Sequence, residues 1–249
     1  MSRSVGATEL LREFLPEWTT LLFVALSYPG KLTLLVPVLG LFYLQDVGRT
    51  LRTGVPDGRA LCSERTAYVL AVALGGLAFV VLIKGAFALP RTDPSLHAVS
   101  SSEHGFPSGH VMAAVSTWGA FALWTTRSTR VRRLLAASAV VAVVGFARLA
   151  LGIHYLVDVP ASVAFAVAYL GAIAWVARGD PRRAFLAAIV IAVLAVLVDA
   201  ASTRALLSLV GTVGAVVGWR VLEAPPVRRR LRARFGGEST TPMSDGSRG

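Results

Sequence analysis

Long apolar blocks that carry almost no charge recur along the sequence and constrain its fold more than any other feature. They lie at residues 32–44, 66–83, 108–125, 134–151, 157–177, 184–200 and 205–221. Most are about 15–20 residues long, the length at which an α-helix crosses a hydrocarbon layer about 30 Å thick. The chain is 55% hydrophobic, more than is usual for a soluble domain. The pattern predicts an all-α, polytopic membrane helical bundle of six to seven spans.

The N-terminal segment 1–30 has a different pattern. Between residues 5 and 18, leucines and Phe14 recur at helical spacing among charged residues, which predicts an interfacial helix with Trp18 at headgroup level. Residues 19–28 are apolar but too short to span, and Pro29 and Gly30 interrupt them, so we expect a re-entrant or partly buried segment. Residues 31–222 would then form the transmembrane domain, and residues 223–249 a basic, disordered cytoplasmic tail.

Arginine dominates the charge of the chain, which is +11 overall. Of the 23 arginines, 18 lie in residues 45–65, 126–133 and 178–183 and from residue 220 onward, all on one membrane face by the order of the spans. An excess of positive loop charge marks the cytoplasmic side. We therefore expect a multi-pass protein of the cell membrane with a cytoplasmic C-terminus, and no binding to nucleic acid.

Three short motifs share one property: each lies at the end of an apolar block that faces away from the arginine-rich loops. Their candidate site residues are Lys84 and Arg91 in the first, Ser108, Gly109 and His110 in the second, and Arg148, His154 and Asp158 in the third. Ionisable residues at membrane depth are costly and usually functional. Their common face predicts one site, on the extracytoplasmic side.

The cations of this set predict an anion site. Lys84, Arg91 and Arg148 outnumber the single carboxylate, and the planar guanidinium group suits phosphate oxygens. Ser108 and Gly109 lie at the start of a helix, where free backbone N–H groups and the positive end of the helix dipole also favour phosphate. The sequence therefore predicts a phosphate-binding cage.

The two histidines of the motifs predict phosphoryl transfer. His154 and Asp158 are four residues apart, so the carboxylate can orient the imidazole as a nucleophile. His110 comes from another segment and can donate a proton to a leaving oxygen. We expect neither a metal nor a cofactor, because the sequence has no carboxylate-rich cluster to hold a metal.

The three motifs, in this order and spacing, resemble the signatures of the type 2 phosphatidic acid phosphatase (PAP2) superfamily. That superfamily includes lipid phosphate phosphatases and is related to vanadium haloperoxidases, and the resemblance covers residues 66–177. It implies that His154 forms a phosphohistidine, that Asp158 orients it, and that His110 protonates the leaving alkoxide. It also implies that the phosphoryl oxygens are held by Lys84, Arg91, Arg148, Ser108 and Gly109.

Two positions depart from the pattern of that family. Thr92 follows Arg91 where the family often has proline, and Ala147 precedes Arg148 where it often has serine. Every charged and imidazole position is intact, so we expect these changes to tune the site. Outside the motifs, we expect Asp199 and Arg204 to form an ion pair at the same end of the bundle.

The most favoured function is that of an integral membrane phosphatase of lipid metabolism. It would hydrolyse phosphate monoesters or diphosphates of lipids, phosphatidate-like or polyprenyl, from the extracytoplasmic side. Two alternatives stay open: a lipid phosphotransferase or vanadate-dependent haloperoxidase-like enzyme built on the same cage, and a non-enzymatic membrane transporter or scaffold. The sequence indicates a lipid phosphate partner and gives no oligomeric state.

Overall fold

The computed structural model describes residues 5–53, 60–100 and 104–235. Within these ranges it contains ten α-helices, which we number α1 (Val5–Phe14), α2 (Thr19–Ser27), α3 (Leu32–Arg52), α4 (Glu64–Phe87), α5 (Gly109–Trp124), α6 (Arg130–Ala150), α7 (Asp158–Ala177), α8 (Pro181–Val198), α9 (Thr203–Glu223) and α10 (Pro225–Phe235). The same ranges hold no strand, only an isolated bridge between Pro90 and His104. The predicted all-α class is confirmed.

Six of these helices are long and apolar enough to cross a membrane: α3, α4, α6, α7, α8 and α9. Helix α5 corresponds to the remaining predicted span, but its 16 residues reach only about 24 Å at 1.5 Å per residue. The expectation of six to seven spans in a polytopic bundle is therefore confirmed.

Helix boundaries differ from the apolar blocks where polar residues continue a helix. Helix α3 was expected to end at Leu44 but extends to Arg52, and Asp46 in this extension accepts a hydrogen bond from the Ser63 backbone at 2.7 Å. Helix α6 starts at Arg130, because Thr129 caps its first turn. Polar residues end the part of a helix that can lie in the hydrocarbon layer. They do not end the helix itself, which continues beyond that layer.

The basic segment after α9 starts as helix α10, where we expected a disordered tail. Pro225 and Pro226 stand in its first turn, where a missing N–H group costs little. Just before it, the Glu223 carboxylate accepts hydrogen bonds from the backbone N–H groups of Leu61 and Cys62 at 3.0 and 2.8 Å. This contact ties the end of α9 to the start of α4. Residues 236–249 of the expected tail lie outside the described residues.

Helix α4 forms the centre of the bundle. Over its most apolar stretch 56% of the residues are buried, compared with 11% in α3 and in α9. Small residues allow its neighbours to approach closely, as is common between membrane helices. A Cβ atom added to Gly75 would lie 2.5 Å from the Tyr169 hydroxyl and 3.1 Å from Ala188, and one added to Gly76 would collide with Ser116. This packing fixes α4 against α5, α7 and α8.

The N-terminal segment covers the end of α6 that carries Arg148. Phe23 of α2 packs in a buried cluster with Ala147, Ala150 and Ile153. The short 3₁₀ turn Tyr28–Gly30 lies against the start of α5, so closely that a Cβ atom on Gly30 would collide with a backbone carbonyl there. The interfacial position of α1 and the re-entrant course of residues 19–30 stay predictions.

Substituting Gly76 tests the packing of α4. Gly76→Ala should lower the melting temperature by several degrees, because overpacking a core costs about 1–3 kcal/mol. Gly171→Ala is the matched control: nothing lies within 4 Å of an added Cβ atom there, and alanine favours helix over glycine by about 0.8–1.0 kcal/mol. Thermal unfolding of purified protein in detergent measures both. Equal melting temperatures for the two variants would contradict the proposed packing.

Candidate active site

The third motif forms a buried pair between α6 and α7. His154 Nδ1 lies 3.1 Å from Asp158 Oδ2, and the side chains are 1% and 0% exposed. On the other side of the ring, Arg91 Nη1 lies 3.2 Å from His154 Nε2. Because a guanidinium group can only donate, Nε2 must be the acceptor and the ring proton must sit on Nδ1, where it is donated to Asp158. This tautomer leaves the lone pair on Nε2.

The charge state of His154 suits a nucleophile. Burial, followed by the positive charges of Arg148 and Arg91, holds the pKa of His154 well below its ordinary value of 6.5. The imidazole therefore stays neutral at neutral pH and gains a proton only under much more acidic conditions. A neutral ring keeps the Nε2 lone pair that attack on an electrophile requires.

The loop between α6 and α7 is shaped by a glycine and by the Asp158 carboxylate. Gly152 has a φ of +74°, and a Cβ atom there would collide with the carbonyl of Leu96, so only glycine fits. Asp158 Oδ2, which binds the His154 ring, also accepts the backbone N–H of Tyr155 at 2.9 Å. One carboxylate oxygen thus holds both the imidazole ring and the loop that carries it.

The second motif is connected to the third through a serine that we did not predict. The Ser108 backbone N–H donates to Ser162 Oγ at 2.7 Å, and Ser162 Oγ donates to the Asp158 carbonyl at 2.5 Å. Ser162 therefore links the first turn of α7 to the start of α5. Its position four residues after Asp158 puts both on one helix face, and this spacing was the available signal. His110 follows in the first turn of α5.

The cations of the first motif hold the backbone of the other two. Lys84 Nζ donates to the carbonyls of His104 at 2.8 Å and Pro107 at 3.3 Å, just before α5. Arg91 Nη1 donates to the carbonyl of Ile153 at 2.8 Å, just before the nucleophile candidate. The sequence predicted Lys84 and Arg91 only as phosphate ligands. Their hydrogen bonds to these backbone carbonyls were not predicted.

A cavity of about 530 Å³ opens beside the motifs. Five of the eight predicted site residues line it: Lys84, Arg91, Gly109, His110 and His154. The other three, Ser108, Arg148 and Asp158, are buried and are not among the residues that line it. Within the described ranges, Ser108 Oγ and Arg148 Nε have no hydrogen-bond partner although both are buried. The three motifs are thus brought together at one end of the bundle.

The expected ion pair between Asp199 and Arg204 is wrong. Both residues line the same cavity, but Asp199 accepts a hydrogen bond from the Ser202 hydroxyl in the turn between α8 and α9. Across the parts of the chain that are described, no salt bridge joins it to Arg204. In this turn the Ser202 hydroxyl reaches the Asp199 carboxylate. The guanidinium group of Arg204, in the first turn of α9, does not.

Thr92 and Ala147, the two residues that depart from the family pattern, both have contacts that suit their side chains. Thr92 Oγ1 donates to the Gly152 carbonyl at 2.6 Å, a hydrogen bond that proline could not make. Ala147 is fully buried beside Phe23 of α2, where a hydroxyl group would face apolar side chains. Both changes therefore fit the local packing of this chain.

Metal-binding clusters were sought among the described residues. These contain no group of three or more His, Cys, Asp or Glu side chains that could hold a metal ion. The expectation that the site works without a metal or cofactor stays a prediction.

The fold and the site together define a multi-span helical membrane protein with a histidine nucleophile candidate inside a cationic pocket. Residues 65–182 match the family model of the PAP2 superfamily, as the motifs predicted. All eight predicted site residues fall within the match. The family supports a phosphatase-type activity on phosphate esters. The comparisons with curated proteins and with solved structures gave no match.

The low pKa of His154 predicts how the site responds to pH. In protein labelled with ¹³C at histidine Cε1, the His154 signal should stay at its neutral position from pH about 8 to about 6, whereas an ordinary histidine titrates near 6.5. NMR with the signal assigned by its loss in His154→Gln measures this. In Arg91→Gln a positive neighbour is removed, so the His154 pKa should rise. Arg130→Gln, at the far end of α6, should leave it unchanged. A His154 signal that titrates near 6.5 in the unmodified protein would contradict the buried, cation-flanked environment.

Proposed function

We propose that this chain is a membrane phosphatase that hydrolyses phosphate monoesters or diphosphates of lipids through a phosphohistidine at His154. The observation that carries this proposal is the composition of the cavity. One end is formed by Lys84, Arg91, His110 and His154, and apart from Lys31, Asp199 and Arg204 the rest of its wall is largely apolar. The aliphatic part is contributed by α3, α4 and α9: Leu32, Val36, Leu74, Leu77, Val80, Val81 and Leu207. A phosphorylated lipid has the matching division between an anionic head and an apolar chain.

Several hydrogen-bond donors support phosphate as the group bound at the polar end. Ser108 Oγ and Arg148 Nε are buried without a partner in the described ranges, and such groups cost about 1–3 kcal/mol each when left unsatisfied. A phosphoryl oxygen is an acceptor that would satisfy them. Gly109 starts α5, whose free N–H groups add further donors. Arg91 would move from Nε2 of His154 to the same oxygens.

In the proposed first step, the lone pair on His154 Nε2 attacks phosphorus. The bond from phosphorus to the leaving oxygen breaks, and His110 gives that oxygen a proton. His154 then carries the phosphoryl group, and the Asp158 carboxylate stabilises the positive ring through Nδ1–H. The cations hold the charge that spreads over the equatorial oxygens.

In the second step, water attacks the phosphorus of the phosphohistidine. His110 accepts a proton from this water, the bond between Nε2 and phosphorus breaks, and inorganic phosphate leaves. Both histidines then return to their starting protonation states, so the cycle consumes one water and needs no further reactant. The reaction is driven by positioning and charge, which the buried hydrogen bonds around Asp158 support.

We place this site on the extracytoplasmic face of a cell membrane, with the C-terminus in the cytoplasm. Support comes from the arginine-rich loops and α10, which lie at the end of the bundle opposite to the three motifs. Positive loops favour the cytoplasmic side. A substrate in the outer half of the bilayer would reach the cavity from the side of α3 and α9.

Replacing the nucleophile tests the chemistry. His154→Ala should abolish release of inorganic phosphate from phosphatidate or polyprenyl diphosphate by purified protein, a loss of at least about 10³-fold. His104→Ala is the control, because this histidine shares the same end of the bundle and its side chain has no role in the proposed steps. Its rate should stay within about threefold of the unmodified protein. Full activity in His154→Ala would refute the phosphohistidine mechanism, and halide oxidation on adding vanadate and peroxide would favour the haloperoxidase alternative.

Filling the apolar part of the cavity tests the lipid substrate. Gly211 of α9 lines the cavity, so Gly211→Trp should lower kcat/KM for a long-chain lipid phosphate about tenfold or more. It should leave hydrolysis of a short soluble ester such as p-nitrophenyl phosphate nearly unchanged.

Gly214→Trp is the matched control for this variant. Gly214 lies on the same helix, is exposed, has open space around an added Cβ atom as Gly211 does, and does not line the cavity. Both substrates should be hydrolysed by it as by the unmodified protein. If Gly211→Trp lowered the two rates equally, the apolar wall would not be a lipid-binding surface.

A further inference from the structure

The loop that carries His154 is held by hydrogen bonds to four consecutive backbone carbonyls. The carbonyls of Leu151, Gly152, Ile153 and His154 accept, in that order, from the Ala98 backbone N–H at 3.0 Å, Thr92 Oγ1 at 2.6 Å, Arg91 Nη1 at 2.8 Å and Thr8 Oγ1 at 2.9 Å. The first three donors belong to the loop between α4 and α5, inside the segment that matches the family. The fourth donor comes from α1, outside that segment.

Thr8 contacts the peptide that is central to the His154 pair. Its side chain is fully buried, and its hydroxyl donates to the carbonyl of His154 itself. The N–H at the other side of the same peptide, that of Tyr155, donates to Asp158 Oδ2, which also binds the His154 ring. The peptide plane between residues 154 and 155 is therefore held at both ends, by α1 and by the carboxylate.

Other contacts keep α1 over this loop. An added Cβ atom on Gly152 would lie 3.2 Å from Arg12 Cδ, so the second turn of α1 passes over the glycine turn. Leu15, just after α1, packs on the buried cluster that contains Leu151 and Ile153. The helix is thus fixed against the loop by a buried hydrogen bond and by apolar contacts.

We propose that Thr8 is a positioning residue for the nucleophile, so that helix α1 completes the active site from outside the matched domain. This inference rests on the proposed phosphohistidine function. Without the Thr8 hydroxyl, the 154–155 peptide can rotate, and both the His154 ring and its bond to Asp158 shift with it. A displacement of about 1 Å at a reacting atom can cost about 10²-fold in rate. Binding of the lipid and phosphate groups would be affected little, because Thr8 does not line the cavity.

The test compares Thr8→Val with Thr8→Ser in the full-length protein. Valine keeps the shape and removes the donor, whereas serine keeps the donor. Thr8→Val should lower kcat by about 10- to 100-fold with KM within about twofold, and Thr8→Ser should restore most of the rate. In Thr8→Val the His154 ¹³Cε1 signal should also shift at constant pH, which a purely structural role would not produce.

Thr19→Val is the matched control. Thr19 is also buried, and its hydroxyl donates to the Pro16 carbonyl at 2.6 Å, so the variant loses a comparable hydrogen bond away from the loop. Its kcat and its His154 signal should match those of the unmodified protein.

Three outcomes overturn the proposal. They are an unchanged kcat and His154 signal in Thr8→Val, a loss in Thr19→Val as large as in Thr8→Val, or a failure of Thr8→Ser to recover. If Thr8→Val does not fold, Thr8→Ser and Thr8→Ala are compared by the NMR signal of the folded fraction. If the unmodified protein releases no phosphate, the proposed function is refuted but the positioning role of Thr8 is not. The NMR shift tests that role without catalysis.

Discussion

The hydrogen bond between His154 and Asp158 is the constraint on which most of the site depends. Burying a carboxylate among apolar helices is costly unless it is hydrogen-bonded, and here Oδ2 and the backbone carbonyl of Asp158 contact different parts of the site. Its side chain binds the His154 ring and the Tyr155 N–H, and its carbonyl binds Ser162, which in turn receives the Ser108 N–H. The position of one residue at the start of α7 thus determines both the tautomer of the histidine and the place where α5 begins.

The bundle provides the rigidity that this arrangement needs. Helix α4 is the most buried of the six candidate spans over its most apolar stretch, and it packs through Gly75 and Gly76 against α7, α8 and α5. Its end carries Lys84, whose ammonium group holds two carbonyls of the loop that leads into α5. The packing in the middle of the bundle therefore sets the geometry at its end, because a shift of α4 would move the first motif relative to the other two.

The sequence was sufficient to predict the spans and the meeting of the three motifs at one end of the bundle, but not the long-range contacts around them. Apolar block length predicts helices, and a spacing of four predicts the pairing of His154 with Asp158, since both are local. Long-range contacts have no such period: nothing in the sequence indicates that Thr8 reaches the backbone 146 residues away, or that Arg148 does not line the cavity. The prediction of an ion pair for Asp199 was wrong for a local reason, because the Ser202 hydroxyl binds the carboxylate.

The cavity is built from two kinds of sequence. Its polar end comes from motifs inside residues 65–182, whereas its apolar wall comes partly from α4, inside that segment, and partly from α3 and α9, outside it. These two helices are also the least buried spans, so their side chains are constrained by few neighbours. Residues that α3 and α9 contribute to the wall can therefore be replaced without moving the three motifs. In evolutionary terms, substitutions in these two helices can change which molecules the cavity admits while the three motifs stay the same.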